Sequence, residues 1–218
     1  MEITWLGTAC FRLRGKEATI VNDPPTPQKG AAAPKLTADV VTVSHQHADH
    51  NFTDAISGEY RMLDGPGEYE VAGVFIQGVP SFHDEHQGKD RGKNVIFRFD
   101  VDDISVCHLG DLGHTLSSGQ AEAIGTVDVL LIPVGGRTTI NGAQAAEVAS
   151  LLEPRIVIPM HYNTGAPGTE DFETVDRFCK EMGAASVKPQ PRVNVTRSNL
   201  PANTQVVLLE QSTRGGAR

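Results

Sequence analysis

Four side chains that commonly bind metals occupy six consecutive positions after a short apolar stretch. The stretch reads DVVTVS, and His45, His47, Asp49 and His50 follow it. His45 and His47 are two positions apart, so in an extended chain their side chains point the same way and can bind one cation. Asp49 and His50 follow where the chain turns, so they can face a second position. The spacing favours a site for two metal ions over a polar loop with chance histidines.

Two metal ions need more than four protein ligands, and the sequence offers candidates elsewhere. His83 follows VFIQGVPSF, Asp111 follows DISVCHLG, and His161 follows RIVIPM. Taken singly, each has an ordinary explanation, as a polar residue near a strand end or as a turn residue. Taken with the first cluster, they complete a set of seven candidate metal ligands that all follow predicted strands.

The hydrophobic pattern predicts the strands that must carry these residues. Alternating residues on either side of Arg14-Gly15-Lys16 predict a β-hairpin over residues 1–24, and PPTPQKGAAAPK predicts an exposed loop. Further strands are predicted in DVVTVS, EYEVAGVFIQGVPSF, NVIFRFDVDDISVCHLGD, DVLLIPVGG, RIVIPMHYNT, VNVTRS and TQVVLLE. The likeness between DVVTVS and DVLLIP hints that the chain contains two related halves.

Three helices are predicted, and all of them fall in the second half of the chain. A short one covers Thr115 to Ala123, and EDFETVDRFCKEMG forms an amphipathic one that ends at Gly183. The clearest is NGAQAAEVASLLEP, in which Asn141 and Gln144 have the spacing of a capping box. Its apolar residues recur at helical spacing, at Ala145, Val148, Ala149 and Leu152. We predict one domain over residues 1–210 and a flexible tail over 211–218.

Composition restricts the class of protein. The chain has 218 residues and a formal net charge of −8, which disfavours nucleic acid as a partner because phosphate-binding proteins carry a surplus of basic residues. Its 3 cysteines form no CxxC pair, which indicates a reducing compartment without a disulfide framework. The sequence shows neither a signal peptide nor a membrane-spanning segment, so we expect a soluble cytoplasmic protein. The oligomeric state is left open.

Five short motifs, in order along the chain, carry a family resemblance. They are Asp23-Pro24, HQHADH at 45–50, SFHD around His83, Gly110-Asp111, and PMHYNT around His161. With them, the chain resembles the metallo-β-lactamase superfamily over nearly its whole length. HLGDLGH, RGKN, LLIPVGG and IPMHYNT look most like a group of small stand-alone zinc-dependent hydrolases, relatives of the L-ascorbate-6-phosphate lactonases. The resemblance implies an α/β fold, a four-layer αββα sandwich of two similar halves with metals at the edge where the sheets meet.

The same resemblance divides the candidate ligands between two ions. It assigns His45, His47 and His83 to the first ion and Asp49, His50 and His161 to the second. Asp111 would bridge both ions, and Asp23 would orient a ligand imidazole. The expected cofactors are two divalent ions, zinc before manganese or iron. Two such ions ~3.5–4 Å apart can hold a bridging hydroxide that attacks an ester, lactone or phosphodiester.

Other polar residues are candidates for roles around the metals. His114 follows Asp111 by three positions and could protonate a leaving group or bind a substrate anion, although a loop histidine bonded to backbone is an equal alternative. Arg91 and Lys93 could attract a phosphate or carboxylate from the substrate, and Tyr162 could assist next to His161. His108 lies within a strand and is expected to be a hydrogen-bonded core histidine.

Three functions from different classes fit this pattern. The first is a dinuclear hydrolase for a small anionic ester, lactone or phosphodiester. The second is an iron-dependent redox enzyme on the same fold, because histidine and carboxylate ligands also hold iron. The third is a protein that binds metals without turnover. Metal analysis and a screen of ester and phosphodiester substrates would separate the three.

Overall fold

The computed structural model describes residues 1–27 and 35–212, which form fifteen strands and three α-helices. The strands are β1 (Glu2–Gly7), β2 (Cys10–Arg14), β3 (Thr19–Asn22), β4 (Leu36–Thr37), β5 (Val40–Thr42), β6 (Ile56–Ser57), β7 (Arg61–Leu63), β8 (Gly67–Val71), β9 (Val74–Phe82), β10 (Lys93–Val101), β11 (Ile104–His108), β12 (Val129–Pro133), β13 (Ile156–Met160), β14 (Val193–Asn194) and β15 (Gln205–Val206). The helices are α1 (Ser118–Ile124), α2 (Gly142–Leu152) and α3 (Asp176–Glu181). Most of the predicted exposed loop, residues 28–34, lies outside the described residues.

Two large sheets have matching topologies. The first has the strand order β14-β1-β2-β3-β5-β7, and the second has the order β15-β13-β12-β11-β10-β9-β8. In the first, the antiparallel strands β1, β2 and β3 lead into the parallel strands β5 and β7. In the second, β9, β10 and β11 lead in the same way into β12 and β13. DVVTVS and DVLLIP thus occupy equivalent places, at β5 and β12, and the prediction of two similar halves is confirmed.

The main core lies between the two sheets. Phe11 and Ile20 of the first sheet pack there with Phe97, Phe99 and Ile158 of the second. Because side chains alternate along a strand, the opposite face of each sheet also carries apolar residues and needs a cover. On the second sheet this cover is helical, and the predicted apolar face of α2 is buried there.

The outer face of the first sheet has a different cover. Cys10, Val21 and Val41 form a small buried cluster with Leu36 and Ile56, which come from the short two-stranded sheet β4–β6. Within residues 1–27 and 35–117, the structure contains a 3-10 turn at Thr53–Ala55 but no α-helix. The mixed α/β sandwich is therefore confirmed, with a layer of short strands where the family pattern implies an outer helix.

Two predicted elements differ from those observed. Residues 1–24 form three strands, because Thr8, with φ +48°, begins a turn that separates β1 from β2. The last predicted helix begins later than expected, at Asp176. The amide of Glu173 donates to the carbonyl of Gly135 at 2.8 Å, so this residue is not part of the helix. Gly183 ends that helix as predicted, with φ +66°.

The chain closes against its own first strand. The amide of Ser212 donates to the carbonyl of Trp5 at 2.9 Å, and the Gln211 side chain donates to the carbonyl of Leu6 at 3.5 Å. These two residues begin the segment 211–218 that is predicted to be a flexible tail, and residues 213–218 lie outside the described residues. None of the helices in the described ranges is long and apolar enough to cross a lipid bilayer.

Candidate metal centre

The seven predicted ligands come from four strand ends at one edge of the sandwich, and four of the histidines face Asp111. The Oδ2 atom of Asp111 lies 3.3 Å from Nε2 of His83 and 3.3 Å from Nε2 of His161. It lies 3.4 Å from Nε2 of His50 and 3.9 Å from Nε2 of His45. The strands β5, β9, β11 and β13 therefore bring together residues that are more than a hundred positions apart.

Three groups of potential ligand atoms lie at this edge, and within each group the atoms are within 4.8 Å of one another. The first group is His45, His47 and His83, the second is Asp49, His50 and His161, and the third is Asp23, His45 and His50. The first two groups have the members that the family resemblance implies for the two ions. His47 and Asp49 are exposed, whereas the others are buried, so the pair of groups opens to solvent on the side of the 45–50 loop.

Buried polar atoms without partners indicate what this arrangement is built to hold. Nε2 of His45, Nε2 of His50 and Oδ1 of Asp111 have no hydrogen-bond partner among the described residues. Leaving such atoms unpaired in a protein interior costs about 1–3 kcal/mol each. A divalent cation removes that cost because imidazole nitrogen and carboxylate oxygen are its usual ligands. The donor set fits a metal pair.

Asp23 fixes the imidazoles of the first sheet. Its Oδ2 accepts hydrogen bonds from Nδ1 of His50 at 3.0 Å and from the Ser44 hydroxyl at 2.5 Å, and its Oδ1 accepts from the Ser44 amide at 2.7 Å. The Ser44 hydroxyl in turn lies 3.0 Å from Nδ1 of His45. Holding Nδ1 of each ring as a donor leaves the Nε2 lone pair directed toward Asp111. Asp23 thus has the orienting position expected from the sequence, and its oxygens are occupied.

Asn94 plays the corresponding part for Asp111. The Asn94 carbonyl oxygen accepts from the Asp111 amide at 3.0 Å, and its NH₂ group donates to the Ser81 hydroxyl at 2.7 Å and to the Leu109 carbonyl at 2.9 Å. Gly110 precedes Asp111 with φ +58°, and a Cβ there would overlap Asn94 and lie 2.6 Å from Cβ of Ser44. Only glycine lets the chain turn at this point.

Burial and mutual charge shift the pKa values of three groups in the centre, His45, His50 and Asp111. Burial, together with the charge of His50, lowers the pKa of His45 to about 4 and keeps that ring neutral. Burial also opposes charge on His50, but Asp111 and Asp23 outweigh it and raise the pKa of His50 to about 9. Burial disfavours the charged form of Asp111, yet the charges of His161 and His50 hold its pKa well below the usual range.

His161 is held by a close backbone contact and by an aromatic ring. It has φ +52°, and its carbonyl oxygen packs so closely on Gly135 that a Cβ at that glycine would overlap it. The ring of Phe172 lies 4.7 Å from the His161 ring, centroid to centroid. The Gly-Gly sequence after β12 thus serves to let the ligand loops pack together.

Two further histidines, His108 and His114, are bonded to backbone through their rings. The prediction for His108 is confirmed, since it is buried and its Nε2 lies 2.8 Å from the carbonyl oxygen of Ala9. In His114, Nε2 accepts from the Phe82 amide at 3.3 Å and Nδ1 lies 2.8 Å from the Thr115 carbonyl oxygen. Both ring nitrogens of His114 are engaged, which supports a role in fixing the loop, and its proton-donor role stays a prediction.

The three predicted substrate residues have different surroundings. Tyr162 stacks on Trp5 with ring centroids 5.3 Å apart, and burial raises the pKa of Tyr162 to about 12. Arg91 lines a cavity of about 220 Å³ next to His83. Lys93, the first residue of β10, is not among the described residues that line this cavity.

Sequence reasoning missed several residues that shape the centre. Ser44 and Asp84 were each next to a candidate ligand, and that adjacency was the one signal that could have found them. Asn94 lies in RGKN but is not among the predicted site residues, and neither is Arg137, which directly follows LLIPVGG. Asp84 acts within its own loop, whereas Ser44 and Asn94 contact segments far away in the chain, which spacing does not reveal.

A larger cleft, of about 720 Å³, lies at the opposite ends of the parallel strands. Asp128 and Arg155, which precede β12 and β13, line it together with Arg197. Arg197 donates to both oxygens of Asp128, at 2.7 and 2.8 Å, so these charges pair with each other. The candidate metal ligands are absent from the lining of this cleft in the described part of the chain, so volume alone does not mark the site.

The fold and the centre agree with the chain's similarity to known proteins. The family model of the beta-lactamase superfamily domain matches residues 2–161. A UPF0173 metal-dependent hydrolase from Pyrococcus horikoshii is 31% identical over 207 residues, covering 82% of this chain and 92% of that protein. The chain therefore belongs to the metallo-β-lactamase superfamily.

Solved structures give the same result. A protein of the metallo-beta-lactamase superfamily from Thermotoga maritima is 43% identical, with a TM-score of 0.80, and the match covers 95% of this chain and 97% of that one. A diiron beta-hydroxylase from Streptomyces venezuelae has a TM-score of 0.61 at 16% identity, covering 89% of this chain and 54% of that one. The second likeness concerns the fold alone. A particular relationship to ascorbate-6-phosphate lactonases is not among these similarities.

Proposed function

We propose that this protein is a dinuclear metal-dependent hydrolase that cleaves a small ester, lactone or phosphodiester. The observation that carries the proposal is the convergence of two ligand groups on one buried carboxylate, Asp111, whose Oδ2 faces four imidazole nitrogens at 3.3–3.9 Å. Curated relatives that match most of the chain are named metal-dependent hydrolases. We propose zinc as the first choice of metal, with manganese or iron as alternatives.

The residues have distinct tasks in this proposal. His45, His47 and His83 would hold one ion, and Asp49, His50 and His161 would hold the other. Asp111, whose Oδ2 faces four of these imidazoles, would serve both. When bound, the two ions supply an activated water as nucleophile and polarise the carbonyl or phosphoryl oxygen under attack.

The supporting residues act on orientation. Asp23 keeps the Nδ1 proton of His50 away from the ion and, through Ser44, does the same for His45. Asn94 holds the backbone of Asp111, so that its carboxylate cannot rotate away with the loop. These contacts lower the reorganisation needed when ions and substrate bind, because the ligand rings already point to the centre.

Metal content and hydrolysis test the proposal together. Protein purified without added metal should contain two zinc, manganese or iron ions per chain by mass spectrometry. It should hydrolyse members of a panel of 4-nitrophenyl acetate, simple lactones and bis(4-nitrophenyl) phosphate, lose that activity with a chelator, and regain it with zinc. One ion per chain would contradict the dinuclear site. Iron together with substrate-dependent oxygen uptake would instead support a redox enzyme, and metal without turnover a binding protein.

A pair of neighbouring exposed positions provides the matched variants. His47→Ala should lower metal content by about one ion and reduce hydrolysis at least tenfold, because it removes a ligand. Gln46→Ala changes an exposed residue of the same loop that belongs to neither ligand group, and should leave both unchanged. Equal effects of the two variants would contradict the ligand assignment.

A further inference from the structure

A cavity of about 220 Å³ opens beside His83, and two arginines line it from separate loops. Arg91 belongs to the loop that follows β9, and Arg137 belongs to the loop that follows β12. Gly113, two positions after Asp111, also lines the cavity. The cavity therefore borders on two of the segments that carry candidate metal ligands.

Asp84 fixes the loop that carries Arg91. Its Oδ1 accepts from the amides of His86 and Gly88, each at 2.8 Å, and its Oδ2 accepts from the amides of Asp90 at 3.0 Å and Arg91 at 2.8 Å. Asp84 directly follows His83 in the chain, so these bonds tie the backbone of Arg91 to a ligand-bearing residue. The loop cannot shift without moving the edge of the metal centre.

The loop that carries Arg137 is also tied to the centre. Its base at Gly135 packs on the carbonyl of His161 without room for a side chain. The amide of Ile140, at its other end, donates to the carbonyl of Leu112 at 2.9 Å, one position after Asp111. Arg137 itself has φ +51°, at the turn between these two anchors.

Three carboxylates line the cavity, Asp84, Glu85 and Asp90, and each accepts hydrogen bonds from groups other than the two arginine side chains. Asp84 is surrounded by four amides, and Asp90 pairs with Nδ1 of His86 at 2.5 Å. Glu85 accepts from the Gln144 side chain at 2.9 Å but has no cation partner in the described part of the chain. Arg137 pairs with exposed Asp171, a surface contact that contributes little, and Arg91 has no carboxylate partner among residues 1–27 and 35–212.

We propose that Arg91 and Arg137 form a subsite for a carboxylate or phosphate group of the substrate, with the scissile bond next to it over the metal ions. A guanidinium presents paired N–H donors that match the oxygens of such an anion. This assignment rests on the proposed hydrolase function and adds the substrate class, a small molecule with an anionic group close to the bond that is cleaved. Glu85 opposes the anion and sets an upper limit on its affinity.

Two esters with the same leaving group test the subsite. The zinc-loaded protein should hydrolyse the 4-nitrophenyl monoester of succinic acid, which carries a carboxylate, with a lower KM than neutral 4-nitrophenyl acetate. Arg91→Gln and Arg137→Gln should each raise the KM of the charged ester about tenfold, since each removes a hydrogen-bonded charge, and leave the neutral ester unchanged. Glu85→Gln should lower the KM of the charged ester.

Binding without turnover gives an independent measurement. Calorimetry with succinate and with methylphosphonate should show weaker binding to both arginine variants than to the unchanged protein, and the tighter of the two anions identifies the preferred group. Lys89→Gln is the matched control, because Lys89 is an exposed cation of the same loop outside the cavity lining. The same loss with Lys89→Gln, or equal binding by all variants, would overturn the subsite.

The two proposals can fail separately. If a chelator abolishes hydrolysis of both esters but the arginine variants treat them alike, the hydrolase function stands and the anion subsite is wrong. If a chelator leaves hydrolysis intact, the hydrolase function is wrong, and the succinate and methylphosphonate titrations still decide the subsite.

Discussion

The two halves of the molecule share a strand topology but contribute to the centre in different ways. The first half supplies four candidate ligands from one loop, after β5, at His45, His47, Asp49 and His50. The second half supplies one residue from each of three strand ends, after β9, β11 and β13. Its counterpart of the β5 loop, after β12, carries glycines and Arg137 in place of ligands. Matching topology has therefore allowed one half to cluster its ligands and the other to distribute them.

The clearest contrast is between Asp23 and Asp111, which follow the equivalent strands β3 and β11. Both are buried aspartates. Both oxygens of Asp23 are used by Ser44 and His50, whereas Oδ1 of Asp111 has no hydrogen-bond partner in the described chain and Oδ2 faces the imidazoles. The difference shows that neighbours, and not position in the fold, decide whether a carboxylate orients a ligand or acts as one.

Replacing each of these two aspartates by asparagine should give the largest difference in metal content and hydrolysis between a variant of the first half and one of the second. Asp111→Asn removes charge from a group that serves both ions, so metal content should fall and hydrolysis should drop by about 10³-fold. Asp23→Asn removes a contact that orients His50, so hydrolysis should fall by only about 10–100-fold. Mass spectrometry of bound metal and the rate of ester hydrolysis measure both effects. Equal losses would remove the functional contrast between β3 and β11.

Substitution of Gly110, where the two halves pack together, should have the next largest effect, on the free energy of unfolding. Gly110→Ala places a methyl group against Ser44 of the first half and Asn94 of the second, at a left-handed backbone position. We expect a loss of about 3 kcal/mol in the free energy of unfolding, from strain and overpacking together. Urea denaturation measures it.

Gly183 provides a control for that crowding. It also has a positive φ, +66°, but a Cβ there meets open space. Gly183→Ala should cost only about 1 kcal/mol, the strain of the backbone itself. Similar losses at Gly110 and Gly183 would show that the halves are not tightly packed at the centre.

His114 tests whether the second half contributes a proton donor as well as ligands. Both of its nitrogens are bonded to backbone, so we expect His114→Asn to lower kcat less than tenfold, with both metals retained. A proton donor would behave differently, with a drop of about 10²-fold confined to substrates with poor leaving groups. Comparing an alkyl ester with a 4-nitrophenyl ester measures this, and a selective loss for the alkyl ester would restore the proton-donor role.

The helical cover, which within residues 1–27 and 35–212 lies on the second half, should affect stability more than activity. In Asn141→Ala, α2 loses the side chain that accepts from Ala143 and Gln144, which should lower the free energy of unfolding by about 1 kcal/mol. Ser117→Ala removes the equivalent cap of α1, a helix with one buried residue, and should cost less. Thermal denaturation measures both, and a large loss of kcat in either variant would mean that these helices position the centre directly.

The sequence by itself determined the parts of this protein that depend on local pattern. The HxHxDH cluster after an apolar run, the capping box at Asn141 and the strand runs were all readable, because each depends on residues a few positions apart. The two-ion division of the ligands came from the resemblance of five ordered motifs, and the geometry of the two groups agrees with it. The similarity of β5 and β12 was also visible in the sequences DVVTVS and DVLLIP, which hinted at two related halves.

Tertiary structure alone decided which distant residues meet. Asn94 holds Asp111 across 17 positions, Asp23 holds His50 across 27, and Gly135 packs on His161 from a neighbouring strand end. The pairing of Arg91 with Arg137 around one cavity likewise depends on loops from separate strands. Spacing in sequence carries no information about such contacts, because they arise only when parallel strands bring their ends to one edge and the loops there compete for the same space.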